Sequence, residues 1–174
     1  MEKGTFPGHV RNCIQYGSGV QSLLVYLHHG QLLPYERTVE VMRDLFGQTI
    51  SQGTLSNILQ RTALSLEPEV EEIRSVILSS PVVHMDETGM DVLPKRQWVH
   101  VYSTPDETFY ALHSKRRCEA MNEIGFLPDY QGIAIHDEWQ SYFTYTGCWH
   151  GLCNAHILRE LTYLHEQENQ PWAV

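Results

Sequence analysis

Apolar side chains recur at helical spacing through roughly the first eighty residues. The first stripe predicts a helix that ends near Gly30 and consists of Val20, Leu23, Leu24 and Leu27. Pro34 stands where a second helix can begin, and Gly47 stands where it ends. Ser51 can cap a third helix, and a fourth runs from near Pro68 to a point before Pro81. The first half of the chain is therefore predicted to be helical.

The second and third of these helices are joined by a short connection, residues 47–50, which is the outline of a helix-turn-helix unit. In such a unit the second helix lies in the DNA major groove. The side chains that could contact bases are those of Gln52, Thr54 and Asn57, and Arg61 could reach a phosphate. The alternative is a plain helical hairpin, because this region has no basic face.

Beyond Pro81 the apolar pattern changes to that of strands. Strands are predicted over residues 82–85, 98–102, 109–113 and 132–136, with a turn at 94–96 and a helix over 117–124. After Gly147 the pattern is helical again. We therefore expect an α+β chain with two domains: a helical, DNA-binding region over residues 1–80, and a mixed-sheet domain with helices over residues 81–174.

Two aspartates, Asp86 and Asp137, each follow a predicted apolar strand. If these strands are neighbours, both carboxylates leave the same edge of the sheet and can hold one divalent cation. Oxygen ligands suit Mg²⁺ or Mn²⁺, and such ions serve phosphodiester chemistry. The alternative is two ordinary strand-end caps. The order of three strands, a helix and a fourth strand favours a metal site, because it describes a ribonuclease H-like sheet.

Two further groups of residues are candidates for binding. Lys115 and Arg116 follow the third predicted strand and could contact DNA phosphates, although a solvated loop fits equally well. Four possible zinc ligands follow one another closely near the end of the chain: Cys148, His150, Cys153 and His156. Of these, Cys153 and His156 are the candidate zinc pair, and the alternative is a set of buried helical side chains. Cys13 and Cys118 are expected to be isolated thiols.

Composition excludes several classes of protein. The 174 residues are 42% hydrophobic and 19% charged, which argues against disorder and against a coiled-coil rod. No apolar run approaches the ~20 residues that span a bilayer, so no membrane partner is expected. Four cysteines are too few for a disulfide scaffold and indicate a cytoplasmic protein. A net charge of −9 excludes a generic basic DNA-coating protein but not a nucleic-acid enzyme.

Several longer segments of the sequence are similar to those of a known protein family. SSPVVHMDETGM, EAMNEIGFLPDYQGIAIHDEWQSYF and CNAHILRELTYLHE resemble the insertion-sequence-66 family of bacterial transposases, and the resemblance extends over residues 15–173. It implies a ribonuclease H-like enzyme with an Asp-Asp-Glu triad and Mg²⁺, which cuts the ends of a mobile element and joins them to target DNA. Asp86 of DETG and Asp137 of HDEW match the first two catalytic acids. A Cys-x-x-His-x-x-Arg signature is matched by Cys153, His156 and Arg159.

The third acid of this family comes later than any candidate in this chain. Glu160, Glu166 and Glu168 lie too soon after Asp137 to match it. We therefore expect a C-terminally truncated fragment with an incomplete four-stranded sheet, whose uncovered apolar surface favours a homo-oligomer. Whether the chain is active stays open. The alternatives are a non-catalytic DNA-binding regulator and a stand-alone metal-dependent nuclease of the same fold.

Overall fold

Two compact units make up the part of the chain that the computed structural model describes, which is residues 15–92 and 94–173. The units divide between Glu67 and Pro68. Cys13 lies outside the described residues. Within those residues no helix has the length and apolar character that crossing a bilayer requires.

The described part of the first unit, from residue 15 onward, forms three α-helices, as the apolar stripes predict. Helix α1 (Ser18–Val25) continues into a π-helical turn, Tyr26–Gly30, and is followed by α2 (Tyr35–Phe46) and α3 (Gln52–Ser65). Gly47 ends α2 in the left-handed conformation, with φ of 65°, which glycine adopts at little cost. The Ser51 hydroxyl accepts a hydrogen bond from the Thr54 amide at 3.0 Å and caps α3.

A small apolar core holds these helices together. Its fully buried members come from all three helices and from the connection before α3: Leu24, Met42, Ile50, Leu55, Ile58 and Leu59. The α2–turn–α3 arrangement thus has the helix-turn-helix outline that the sequence predicts.

The second unit is a five-stranded mixed sheet with helices. It contains α4 (Glu67–Leu78), β1 (Val82–Val92), β2 (Lys95–Ser103), β3 (Thr108–His113), α5 (Cys118–Ile124), β4 (Ile133–His136), β5 (Trp149–Leu152) and α6 (Asn154–Glu166). The strand order is β3-β2-β1-β4-β5. Strands β1, β2 and β3 are antiparallel neighbours, whereas β1, β4 and β5 are parallel.

The structure corrects four expectations about this unit. The sheet has a fifth strand, β5, where the sequence indicated only helix, so the four-stranded sheet was wrong. Strand β5 was not predicted because it is a four-residue edge strand without alternating burial. Strand β1 continues through Asp86 to Val92, and Lys95 and Arg96 lie within β2 rather than in a turn. Helix α4 belongs to this unit instead of the first, because Ile77 packs in the second core.

One face of the sheet carries the core of the second unit. Along β1 the side chains of Val83, Met85 and Glu87 are buried, whereas His84 and Asp86 are exposed on the other face. The buried face packs against aromatic rings, with the ring centroids of Tyr102 and Phe126 4.2 Å apart. This alternation directs Asp86 away from the core and Glu87 into it.

Candidate active site

The two candidate aspartates are set by the pairing of β1 with β4. These parallel strands pair as far as His84 opposite Ile135. Continuing this register two residues beyond the last pair would align Asp86 with Asp137. Since side chains alternate along a strand, both carboxylates would then belong to the face that carries His84 and Ile135. The register is therefore compatible with the pair of acids that the sequence predicts.

Each of these carboxylates is anchored at one oxygen. Asp86 Oδ1 accepts a hydrogen bond from the Glu87 amide at 2.8 Å, and Asp137 Oδ1 accepts one from the Trp139 amide at 3.0 Å. No described residue donates a hydrogen bond to either Oδ2. Asp86 is exposed and Asp137 is half-buried. Each acid thus keeps an oxygen available for a ligand.

Directly after Asp86, the buried Glu87 carboxylate is the centre of a hydrogen-bond network. Arg116 places both Nε and Nη2 2.8 Å from Glu87 Oε1, and the Tyr142 hydroxyl donates to Oε2. Burial raises the pKa of Glu87, and the bonds from Tyr142 and Arg116 oppose that rise. The network connects β1 to the segments that follow β3 and β4.

Arg116 is also part of a stack of alternating guanidinium groups and indole rings. Its Cζ lies 4.2 Å from the ring centroid of Trp139 and 5.1 Å from that of Trp98, and Arg96 Cζ lies 5.0 Å from the Trp98 centroid. We call Arg96, Trp98, Arg116 and Trp139 the arginine–tryptophan ladder. The ladder reaches the candidate acids at the Trp139 amide, which donates to Asp137.

The histidines that precede the two aspartates differ in their surroundings. His84 is exposed, but His136 is fully buried, stacks on Tyr142 at 4.3 Å and shares a hydrogen bond of 2.9 Å with His150. Burial lowers the pKa of His136. His136 therefore supports the segment that follows β4.

A cleft of about 230 Å³ lies beside Asp137 and is also lined by Cys153, His156 and Glu160. A hydrogen bond with the His156 side chain lowers the pKa of Cys153, and His156 Nδ1 is buried without a hydrogen-bond partner. Across residues 15–92 and 94–173, no three or more His, Cys, Asp or Glu side chains are arranged to hold a metal ion. The four possible zinc ligands therefore do not converge, and zinc at Cys153 and His156 stays a prediction.

The α3 residues predicted to bind DNA differ in their exposure and hydrogen bonding. On α3, Gln52, Asn57 and Arg61 are exposed, whereas the Thr54 hydroxyl is 2.9 Å from that of Ser51 and takes part in the helix cap.

In the second unit, Lys115 forms an ion pair with Glu119, and Arg116 is bound to Glu87. No role was predicted for Glu87, and the hydrogen bond that Tyr142 donates to it was not predicted. Strand alternation after Asp86 was the available signal for Glu87, since it sends the next side chain inward.

Three antiparallel strands, a helix and two parallel strands make the second unit a ribonuclease H-like sheet, with Asp86 within β1 and Asp137 directly after the neighbouring strand β4. A family model described as "Transposase IS66 family" matches residues 14–174. The chain belongs to this transposase family. A search of curated proteins found no match.

Two solved structures show distant similarity to the chain. One is the HTLV-2 integrase catalytic core domain in complex with magnesium, in its dimeric form, with 16% identity, a TM-score of 0.33, and coverage of 52% of this chain and 75% of that one. The other is a simian T-cell lymphotropic virus intasome in complex with PP2A regulatory subunit B56 gamma, with 14% identity and a TM-score of 0.35. It covers 86% of this chain, which spans 61% of that one.

Proposed function

We propose that the second unit is the catalytic domain of a DNA transposase, in which Asp86 and Asp137 hold a divalent cation, Mg²⁺ or Mn²⁺. The observation that supports this proposal is the parallel β1–β4 register, whose continuation by two residues would align the two acids on one face. Two carboxylates with available oxygens fit a hard cation. Such an ion would stabilise the charge that develops on a phosphate during strand cleavage and joining.

The chain's own residues orient the two acids. The Trp139 amide fixes the Asp137 carboxylate. Glu87, with Arg116 and Tyr142, ties the strand of Asp86 to the segment that follows Asp137. Mutual repulsion of two ionised carboxylates disfavours their approach, so a bound cation relieves a cost already present in the fold.

Metal binding is tested by thermal unfolding of the full chain with and without Mg²⁺ or Mn²⁺. At about ten times the dissociation constant, binding adds about 1.4 kcal/mol, which raises the melting temperature of this unit by a few degrees. Asp86→Asn and Asp137→Asn are expected to abolish that rise. Asp106→Asn removes the same charge at the β2–β3 turn and is expected to keep it. An equal rise in all four proteins would overturn the proposal.

Activity is tested with element-end DNA, Mg²⁺ and the full chain. No three or more His, Cys, Asp or Glu side chains of the described residues are arranged to hold a metal ion, so a second ion would lack ligands and we expect no strand joining. Joining that Glu160→Gln abolishes would assign the third acid to Glu160, which lines the cleft. Cleavage without joining would favour the stand-alone nuclease. DNA binding without either reaction would favour the regulatory role.

Helix α3 of the first unit is proposed to recognise the base sequence of element-end DNA. Gln52 and Asn57 are exposed near its start, while Leu55 and Ile58 are buried beneath them. Gln52→Ala or Asn57→Ala is expected to weaken binding to element-end DNA about tenfold, the usual cost of losing a base contact. Ser65→Ala, at the far end of α3, serves as the control. Unchanged affinity in both variants would leave the helices with a structural role alone.

Self-association is proposed as well, because large apolar side chains are exposed on the sheet, including those of Tyr110, Leu112 and Trp149. Sedimentation velocity over a range of concentrations tests it. A monomer at every concentration would contradict it.

A further inference from the structure

We propose that Arg96, stacked on Trp98, binds a backbone phosphate of DNA at the end of the sheet where β2 begins. This inference rests on the proposed function, since it names a contact to the same substrate. It assigns phosphate binding to Arg96 in place of Lys115 and Arg116, both of which are bound to carboxylates within the chain.

The Arg96 side chain is held in a defined place by β1 and β2. Its guanidinium lies against the Trp98 ring and over Gly89, which is paired with Trp98 across the two strands. A Cβ on Gly89 would lie 2.3 Å from Arg96 Nη2 and 2.5 Å from Nε. Only glycine leaves room for the guanidinium here. A cation fixed in this way loses less side-chain entropy when it binds an anion.

The guanidinium groups of Arg96 and Arg116 both stack on Trp98 but differ in whether a carboxylate offsets their charge. The charge of Arg116 is offset by Glu87. Among the described residues no carboxylate lies within 4.0 Å of Arg96, which is exposed. Asp91 is opposite Arg96 in the β1–β2 register but forms no ion pair with it. The Arg96 guanidinium is therefore held in a defined place and has no carboxylate partner among the described residues. Such a group recognises a phosphate through two hydrogen bonds.

The position of Arg96 in the sheet points to DNA as the source of that phosphate. Strand β2 begins at the end of the sheet towards which β3 and β4 run, and most of the basic residues of the second unit lie in segments at this end. Five of the seven Lys and Arg residues in the range 68–174 are in these segments: Lys95, Arg96, Lys115, Arg116 and Arg117. Arg96 is paired with Asp91, five residues beyond Asp86 along β1, and lies on the opposite face of the sheet from Asp86. Only an extended polyanion such as DNA could therefore contact both Arg96 and the two aspartates.

Fluorescence anisotropy of a labelled 20-base-pair element-end duplex, measured with the full chain at several chloride concentrations, tests the proposal. Arg96→Ala is expected to reduce the slope of log affinity against log salt by about 0.9, the value for one lost phosphate contact. Lys115→Ala is the matched control and is expected to leave the slope unchanged. Asp91→Asn, which removes the facing carboxylate, is expected to tighten binding. Replacing chloride with inorganic phosphate at equal ionic strength is expected to change affinity little.

Gly89→Ala provides a variant that keeps every charge. Because its Cβ collides with the movable end of the Arg96 side chain, the variant is expected to fold normally and to bind DNA more weakly.

The proposal would be overturned if Arg96→Ala had the same slope of log affinity against log salt as the wild type. It would also be overturned if only Lys115→Ala reduced that slope. Strong competition by inorganic phosphate, or the absence of DNA binding by the full chain, would overturn it as well. The metal-induced rise in melting temperature is expected to persist in Arg96→Ala, so failure here is distinguishable from failure at the two aspartates.

Discussion

The Arg116 guanidinium holds the Glu87 carboxylate with two nitrogens, each 2.8 Å from Oε1. The Glu87 side chain is 1% exposed and that of Arg116 is 37% exposed, so the pair closes the edge of the second core. A buried carboxylate requires such a partner, because it has given up its hydration. The pair therefore fixes the strand that carries Asp86 to the segment that follows β3.

Arg116→Ala is expected to destabilise the second unit by about 2 kcal/mol, because Glu87 would stay buried without its cation. This value lies below the usual range for a fully buried pair, since water reaches Arg116. Lys115→Ala removes the neighbouring charge from a pair whose side chains are both 54% exposed, and it is expected to cost less than about 0.5 kcal/mol. Urea unfolding of both variants checks the difference. Equal losses would show that the Glu87 pair adds no more than a surface pair.

Ser51→Ala is expected to destabilise the first unit by about 1 kcal/mol, the typical cost of a lost helix cap. The hydroxyl that it removes accepts from the Thr54 amide and also meets the Thr54 hydroxyl. Ser56→Ala, within the same helix, is expected to change stability far less. Helicity and unfolding followed by circular dichroism measure both effects. A Ser51→Ala protein as stable as the wild type would contradict the assigned cap.

Gly132→Ala is expected to destabilise the second unit by about 1–3 kcal/mol, as overpacking does. A Cβ there would lie 2.3 Å from the Tyr130 hydroxyl oxygen and 2.7 Å from the Pro81 carbonyl oxygen, and the backbone atom cannot rotate away. At Gly147 the nearest atom is 3.7 Å away, so Gly147→Ala is expected to be tolerated. Melting temperatures of the two variants compare these sites directly. A Gly132→Ala protein that melts no lower than Gly147→Ala would refute this assignment.

Much of the fold could be predicted from local signals. Helices α2 and α3 are bounded by Pro34, Gly47 and Ser51, whose conformational effects depend on few neighbours. Strand β5 could not be predicted in this way, since it is held by pairing with β4, and that partner is distant in sequence. Gly151, within β5, allows this approach: a Cβ there would lie 2.5 Å from Ile135 Cδ1.

The candidate site was predictable in part for the same reason. Asp86 and Asp137 stood out because each follows an apolar run, and the parallel β1–β4 pairing, which leads towards both residues, is compatible with that prediction. The partners of the basic residues were not predictable. Arg116 resembles any loop cation in the sequence, and its pairing with Glu87 depends on the sheet that brings residues 29 positions apart into contact.

The buried His100 is expected to make the protein less stable at acidic pH. His100 is 1% exposed, and its Nε2 lies 3.4 Å from the Lys115 carbonyl oxygen. Burial lowers its pKa below the ordinary value of 6.5. As the pH falls below about 6.5, the unfolded chain therefore takes up a proton that the folded chain excludes, and stability decreases. Above that pH the imidazole is neutral in both states and contributes no slope.

His100→Gln is expected to lose stability at pH 7.5 but to show a shallower decrease between pH 7 and pH 5.5 than the wild type. Urea unfolding at a series of pH values measures that slope. His165→Gln, which changes an exposed histidine of α6, is expected to retain the wild-type slope. The slope, and not the absolute stability, reports the titration of His100, because replacing a buried ring also disturbs packing. A His100→Gln slope as steep as that of His165→Gln would mean that other groups take up the protons.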